Sequence, residues 1–222
     1  MAIKFIEKVE EGLLACWEIT ETAEKLLAFI ELKEDDQDKV ILFRNESRKK
    51  EWLAARILLK AITNKDAKIG YAPTGQPFPV HIPGNISISH STNHVVVFYH
   101  PTRQPGVDIE LITRNVDKIA KKFLSPKELD DCTIHGIRSN RDMMLRWCAK
   151  EAVFKMVPDR DIDFASQINC TAPLLKNTEG TLTATFLGAS ASIQIPLQFR
   201  CIGDMLLVWG ILPQNSNQQP LL

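Results

Sequence analysis

The sequence predicts an α+β fold in two similar α+β lobes, and three observations predict it. Each half of the 222-residue chain places a long helical pattern ahead of strand-like runs. A proline- and glycine-bearing stretch, His100-Pro101-Thr102-Arg103-Gln104-Pro105-Gly106, lies near the midpoint and reads as a linker. Regular strand–helix–strand alternation is missing, so no long parallel sheet is expected. The expected divisions are an N-terminal lobe over residues 1–104, a C-terminal lobe over 105–212, and a polar, frayed tail over 213–222.

In the first half, residues 3–9 and 13–19 read as strands, and residues 22–30 as a short helix. Residues 47–63 form the clearer helix, because Trp52, Ala55, Leu59 and Ile62 recur at helical spacing. Gly70, Pro73, Gly75, Pro77, Pro79, Pro83 and Gly84 mark an irregular loop. Residues 85–90 and 94–100 then read as a hairpin turning at Ser91-Thr92-Asn93, with Ile86 and Ile88 alternating against Ser87 and Ser89.

The second half opens with a strand at 107–111 and a basic helix at 116–124. Ser125-Pro126-Lys127-Glu128 is a capping box with proline at the first helical position, so a helix begins there. A longer helix is expected over 140–157, stopped by Pro158. Strands are expected near 181–187, 192–199 and 205–212.

Bulk properties exclude several function classes. With 27 basic and 27 acidic residues there is no global basic field for nucleic acid. No apolar run is long enough to span a bilayer, and MAIKFIEKVEEG lacks the apolar core of a signal peptide. The five cysteines are scattered with no CxxC pair, which argues against a disulfide framework or zinc site and fits a reducing cytoplasm.

Chemistry concentrates in a few segments. In Gly106-Val107-Asp108-Ile109-Glu110 the side chains alternate, so Asp108 and Glu110 share one face while Val107 and Ile109 enter a core. In Trp147-Cys148-Ala149-Lys150-Glu151-Ala152-Val153-Phe154-Lys155 a helix puts Glu151 and Lys155 one turn apart. Brought together, Asp108, Glu110 and Glu151 can hold Mg²⁺ against a phosphate ester, with Lys155 beside it. Taken alone, each segment has a plainer reading. Asp-x-Glu on a strand is more often a solvated face, and Glu151–Lys155 a surface ion pair worth about 0.3–0.5 kcal/mol. Lys49, Arg56 and Lys60 fall in one narrow sector of the first long helix, with Arg48 next to it, and such a stripe is either a phosphate site or the wet side of the helix. Ser87, Ser89 and His90 at a strand end suit a phosphate or ribose, or ordinary hairpin polarity.

In this order and spacing the segments resemble the 4′-phosphopantetheinyl transferases, specifically the monomeric, broad-specificity, surfactin-synthetase-activating type. The resemblance rests on Arg48-Lys49-Lys50-Glu51-Trp52-Leu53-Ala54-Ala55-Arg56, Gly75-Gln76-Pro77, Ile86-Ser87-Ile88-Ser89-His90-Ser91, residues 106–110 and residues 147–155, with 41 residues from Glu110 to Glu151. It implies two lobes related by a pseudo-twofold with the active site in the cleft between them. It also implies Mg²⁺-dependent transfer of the phosphopantetheine arm of coenzyme A to a serine of an apo acyl or peptidyl carrier protein, releasing adenosine 3′,5′-bisphosphate. Asp108, Glu110 and Glu151 would hold the metal, and Lys155 would contact the pyrophosphate. Glu151 would be the general base, directly or through water; an ordinary glutamate pKa near ~4.3 would leave it ionised. Lys150 would point elsewhere, to carrier or to phosphate. Arg56, Ser89 and His90 would bind the 3′-phosphate and ribose. Gln76 stands where the family commonly has lysine, and Lys49 or Arg48 would supply the missing charge.

Carrier proteins are typically acidic around the modified serine, so Lys118, Lys121, Lys122 and Lys127 form the expected docking surface. Phe123 and Leu124 either add an apolar contact there or belong to the core. Two other classes compete: a Mg²⁺-dependent hydrolase of nucleotides or coenzyme A, and a non-catalytic homologue that binds carriers. The retained acids and Lys155 weigh against the latter.

Overall fold

The computed structural model of the chain describes residues 2–32, 34–65, 67–157, 161–189 and 191–214. The helix stop at Pro158 and most of the expected frayed tail, residues 215–222, lie outside the described residues.

Strands β1 (Ala2–Val9) and β2 (Gly12–Glu18) open the chain, followed by α1 (Ala23–Leu27), α2 (Glu34–Leu42) and α3 (Glu46–Thr63). Thr22 caps α1 and Asn45 caps α3, each side chain accepting an N–H from the first turn. Asn64 ends α3 in the left-handed region at φ 49°. The stretch expected to be irregular contains a short hairpin, β3 (Lys68–Tyr71) and β4 (Pro77–Val80), turning at Gly75 with φ +82°. Its prolines hid it, because β4 has only one partner strand and tolerates missing N–H groups. Next come β5 (Asn85–Ser91) and β6 (His94–His100). Thr92 and Asn93 both have positive φ, as a two-residue hairpin turn requires.

After the linker, β7 (Pro105–Leu111) leads to a six-residue 3₁₀ helix, Asp117–Lys122, within the span where a basic helix is expected. Then α4 (Pro126–Asp131) begins with the full capping box, followed by the two-residue strands β8 (Thr133–Ile134) and β9 (Ile137–Arg138). The long helix α5 (Asn140–Met156), the short α6 (Phe164–Gln167), and strands β10 (Ile168–Thr171), β11 (Glu179–Leu187), β12 (Ser192–Ile202) and β13 (Met205–Ile211) complete the chain.

Two antiparallel sheets dominate. One has the order β1-β2-β6-β5; the other has the order β10-β11-β12-β13-β7. The first draws only on residues before 101 and the second only on residues after 104. Helix α3 covers the first sheet with Leu53, Ala54, Ile57 and Leu58, and α5 covers the second with Met144, Cys148, Ala152 and Val153. A third core joins the sheets: Leu14, Cys16, Val96 and Phe98 meet Val107, Ile109, Leu207 and Trp209. Full burial of such side chains contributes about 1.5–3 kcal/mol each, so the sheets resist separation. Gly106 sets how closely β7 lies on α5, since a Cβ there would stand 2.2 Å from the Ala152 carbonyl oxygen.

Candidate functional site

Strand β7 positions the two acids as alternation requires. Val107 and Ile109 are fully buried between the sheets, while Asp108 and Glu110 face α5. Asp108 is 5% exposed. Its Oδ1 accepts from Ser89 Oγ at 2.8 Å and from Lys155 Nζ at 2.8 Å. Its Oδ2 is buried with no hydrogen-bond partner. Glu110 accepts from Ser91 Oγ at 2.9 Å through Oε2 and from the half-exposed Arg114 at 2.6 Å through Oε1.

Helix α5 supplies the opposite wall. Lys155 donates to the Val107 carbonyl at 2.9 Å as well as to Asp108, so it bridges to the strand rather than closing an in-helix pair with Glu151. Glu151 is partly buried beside this cluster. Burial first, then the Asp108 and Glu110 charges, push its pKa up to about 7, with Lys155 and Arg114 opposing. The expectation of a glutamate with an ordinary pKa is therefore corrected: without an added cation burial keeps Glu151 partly protonated well above the usual carboxylate range. Lys150 takes neither of the roles left open for it. It is 0% exposed and donates to Glu128 Oε2 at 2.7 Å and to the carbonyls of Phe123 and Phe164 at 2.6 and 2.9 Å. Glu128 also accepts the Ser125 and Cys170 N–H groups. Lys150 therefore fastens α5 to α4, α6 and β10, beneath the site.

A cavity of about 530 Å³ opens on the Lys155 side, lined by Tyr71, Gly75, Gln76, His90 and Phe154 among others. At its rim Arg48 Nη1 lies 2.6 Å from His90 Nε2. Arginine can only donate, so Nε2 accepts and the imidazole proton sits on Nδ1, 3.3 Å from Glu51 Oε2. Partial burial holds His90 below its ordinary pKa, with Arg48 and Lys155 adding to the effect and Glu51 opposing. Gln76 and His90 are thus brought to one cavity with Lys155. Arg56 and Lys49 do not line it. Arg56 is 3% exposed, stacked 3.3 Å from the centroid of the Trp52 ring, and donates to the carbonyls of Trp52 and Ile69. It also interacts with the Tyr71 side chain and lies 3.9 Å from Asp36 Oδ2. Lys49 lies near Glu24. Lys60 ends the stripe in solvent. Periodicity grouped these cations by angle on the helix, but packing of Trp52 and Tyr71 took the central one out of reach.

A second cavity of about 720 Å³ opens on the Glu151 side, lined by Lys121, Lys122, Trp147 and Phe164 among others. Lys118, Lys121, Lys122 and Lys127 are exposed, whereas Phe123 and Leu124 are 1% and 2% exposed. Phe123 packs edge-on against Trp147 at 5.0 Å between centroids. Of the two readings open for Phe123 and Leu124, the core is therefore the one realised.

The acids do not form a ready-made cage: among the described residues no three His, Cys, Asp or Glu side chains converge to hold a metal. Glu110 is held by Ser91 and Arg114, and Asp108 by Ser89 and Lys155. The donor set nevertheless fits a hard cation. Asp108 Oδ2 is a buried oxygen with no hydrogen-bond partner, and the raised pKa of Glu151, due first to burial and then to the Asp108 charge, is one that a divalent ion would lower.

The segment that carries these acids is similar to a known family. Residues 104–199 match the family model of the 4′-phosphopantetheinyl transferase superfamily. No curated protein matches the chain. The superfamily match contains Asp108, Glu110, Glu128, Lys150, Glu151 and Lys155, and leaves Arg48, Gln76, Ser89 and His90 outside it. It supports phosphopantetheine transfer as the general class of reaction, in a superfamily that uses coenzyme A and usually a divalent metal. No helix among the described residues is long and apolar enough to cross a membrane.

Three partnerships are not legible in the sequence. Ser91 belongs to the motif that carries the resemblance, but its bond to Glu110 is not visible there, although Ser87, Ser89 and Ser91 alternate and so share a face. Arg48 is expected only as a substitute charge, and in the fold it is the cation that reaches His90. Glu128 showed itself only as a helix cap and carried no sign of its buried pairing with Lys150.

Proposed function

We propose that this chain is a 4′-phosphopantetheinyl transferase of the monomeric, broad-specificity type, moving the arm of coenzyme A to a serine of an apo acyl or peptidyl carrier protein. One observation carries the reading. Within the superfamily-matched segment, Asp108 offers an unpartnered oxygen, Lys155 is pinned to the same carboxylate, and Glu151 sits in the field of both acids. The halves on either side of residue 104 act as two lobes related by a pseudo-twofold, with the reaction in the cleft between them. The 530 Å³ cavity takes the nucleotide side of coenzyme A and the 720 Å³ cavity the arm and the carrier serine.

Asp108, Glu110 and Glu151 would hold Mg²⁺, whose charge offsets that building on the departing phosphate. The side chains do the rest. Lys155, fixed by Val107 and Asp108, presents a cation that needs no reorganisation as the pyrophosphate breaks. Arg48, held against His90 Nε2, donates to the 3′-phosphate, with Gln76 adding a neutral hydrogen bond. The Glu151 carboxylate takes the proton of the carrier serine hydroxyl as the serine oxygen–phosphorus bond forms and the bond to adenosine 3′,5′-bisphosphate breaks. The exposed lysines 118, 121, 122 and 127 steer the acidic carrier toward Glu151.

The test is mass spectrometry of an apo carrier protein incubated with the chain, coenzyme A and Mg²⁺. Covalent gain of the arm on one serine is expected. Release of free phosphopantetheine with the carrier unmodified would instead make the chain a hydrolase, and carrier binding with no product would make it a non-catalytic homologue.

A further inference from the structure

Strand β7 is the edge of its sheet, and a buried edge must find partners for the backbone groups that another strand would have taken. Hydroxyls supply them here. The Val107 N–H donates to Ser87 Oγ at 3.1 Å and the Ile109 N–H to Ser89 Oγ at 3.3 Å. Strand β5 thus meets β7 with side chains rather than main chain. Ser87, Ser89 and Ser91, two apart, present one face to it.

A hydroxyl has a single proton to give. Ser89 gives its proton to Asp108 Oδ1, and Ser91 gives its own to Glu110 Oε2. Neither has a donor left for a ribose or a phosphate. Ser89 is moreover 6% exposed, while its neighbour His90 faces outward. We infer that Ser89 and Ser91 are positioning residues that hold the Asp108 and Glu110 carboxylates for a divalent cation. Ser89 and Lys155 both hold Oδ1, which leaves Oδ2 of this carboxylate without a hydrogen-bond partner, and the buried Cys148 thiol faces the same group. Partners of this kind set metal affinity or activity by about 10–100-fold. The serines come from the first sheet and the acids from the second, so seating of one sheet on the other sets the geometry of the acids.

This inference rests on the metal site proposed above, and the experiment separates the two. Mn²⁺ binding to the full chain is measured by EPR titration for the wild type, Asp108→Asn, Ser89→Ala, Ser91→Ala and Ser91→Thr. Steady-state kinetics with coenzyme A and an apo carrier follow at saturating Mn²⁺. Each alanine variant is expected to weaken Mn²⁺ by about 10-fold or more. The KM for coenzyme A should stay within about twofold of wild type, and Ser91→Thr should restore binding by restoring the hydroxyl. Ser89→Ala also strips the partner of the Ile109 N–H. If that variant does not fold, Ser91→Ala, which touches no backbone group, carries the test. Wild-type Mn²⁺ affinity in the folded alanine variants, with Asp108→Asn impaired, overturns the inference alone. So does a raised KM for coenzyme A in Ser89→Ala at unchanged Mn²⁺ affinity. Equal Mn²⁺ behaviour of wild type and Asp108→Asn overturns the metal site and the inference together.

Discussion

In the metal-free protein, Glu151→Gln should stabilise the fold in alkaline solution. The folded state moves this carboxyl from an ordinary value of 4.5 to about 7, chiefly through burial and the Asp108 charge. A raised carboxyl pKa means that the folded chain binds the proton more tightly than the unfolded chain. Its stabilising effect is complete below pH 4.5 and is lost as pH rises through about 7. Each pH unit between the two values is worth ~1.4 kcal/mol, so full linkage approaches about 3 kcal/mol. Partial access of Glu151 to water reduces the expectation to on the order of 1–2 kcal/mol. Urea unfolding in EDTA at pH 5 and pH 8.5 reads it directly. Wild type should lose more stability than Glu151→Gln across that interval, and added Mg²⁺ at pH 8.5 should recover more for wild type. Equal losses in both proteins would show that Glu151 does not share a field with Asp108 and Glu110, and the catalytic reading would lose its main support.

Lys155→Ala should lower kcat by about 10²–10³-fold, the usual cost of removing a fixed donor at a developing charge; an unchanged kcat would reduce Lys155 to a structural clamp on β7. Lys150→Met should destabilise the protein by about 3–5 kcal/mol in denaturant titrations, because it strands the buried Glu128 carboxylate. The double variant with Glu128→Gln should recover part of that loss, and strict additivity would refute a coupled pair. Gly106→Ala should lower the melting temperature sharply, since the new Cβ would meet Ala152 and Met156 at 2.2–2.6 Å; a neutral result would mean that β7 and α5 are not in such close contact. Reversing Lys121 and Lys122 to glutamate should raise the KM for an acidic carrier and flatten its dependence on salt, leaving the KM for coenzyme A unchanged.

Local chemistry was legible wherever its cause is local. The capping box at Ser125 formed as written, because its two hydrogen bonds close within four residues. The hairpin over β5 and β6 and the acidic strand β7 also formed as the alternation indicated. Helix α2 and the β3–β4 hairpin were not legible. The first, Glu34–Leu42, is strongly charged with a weak apolar periodicity, and the second is disguised by proline. The basic segment after β7 is a 3₁₀ helix that places Ala120 and the capping Phe123 in the core, a burial that charge patterning does not register.

The spacing of residues determined which side chains share a strand face or a helical turn, Asp108 with Glu110 and Glu151 with Lys155, while only the resemblance joined the two pairs. Partnership was decided only by packing. Lys155 reaches Asp108 while its neighbour in the motif, Lys150, is sealed against Glu128; Arg56 is withdrawn under Trp52 while Arg48 meets His90; and the serines of β5 turn to the acids of β7. The reason is range. Periodicity acts over a few residues, whereas the contacts of Arg48, Ser89, Lys150 and Lys155 join positions 19 to 47 apart in the chain, whose approach depends on how two sheets and two long helices bury their apolar faces together.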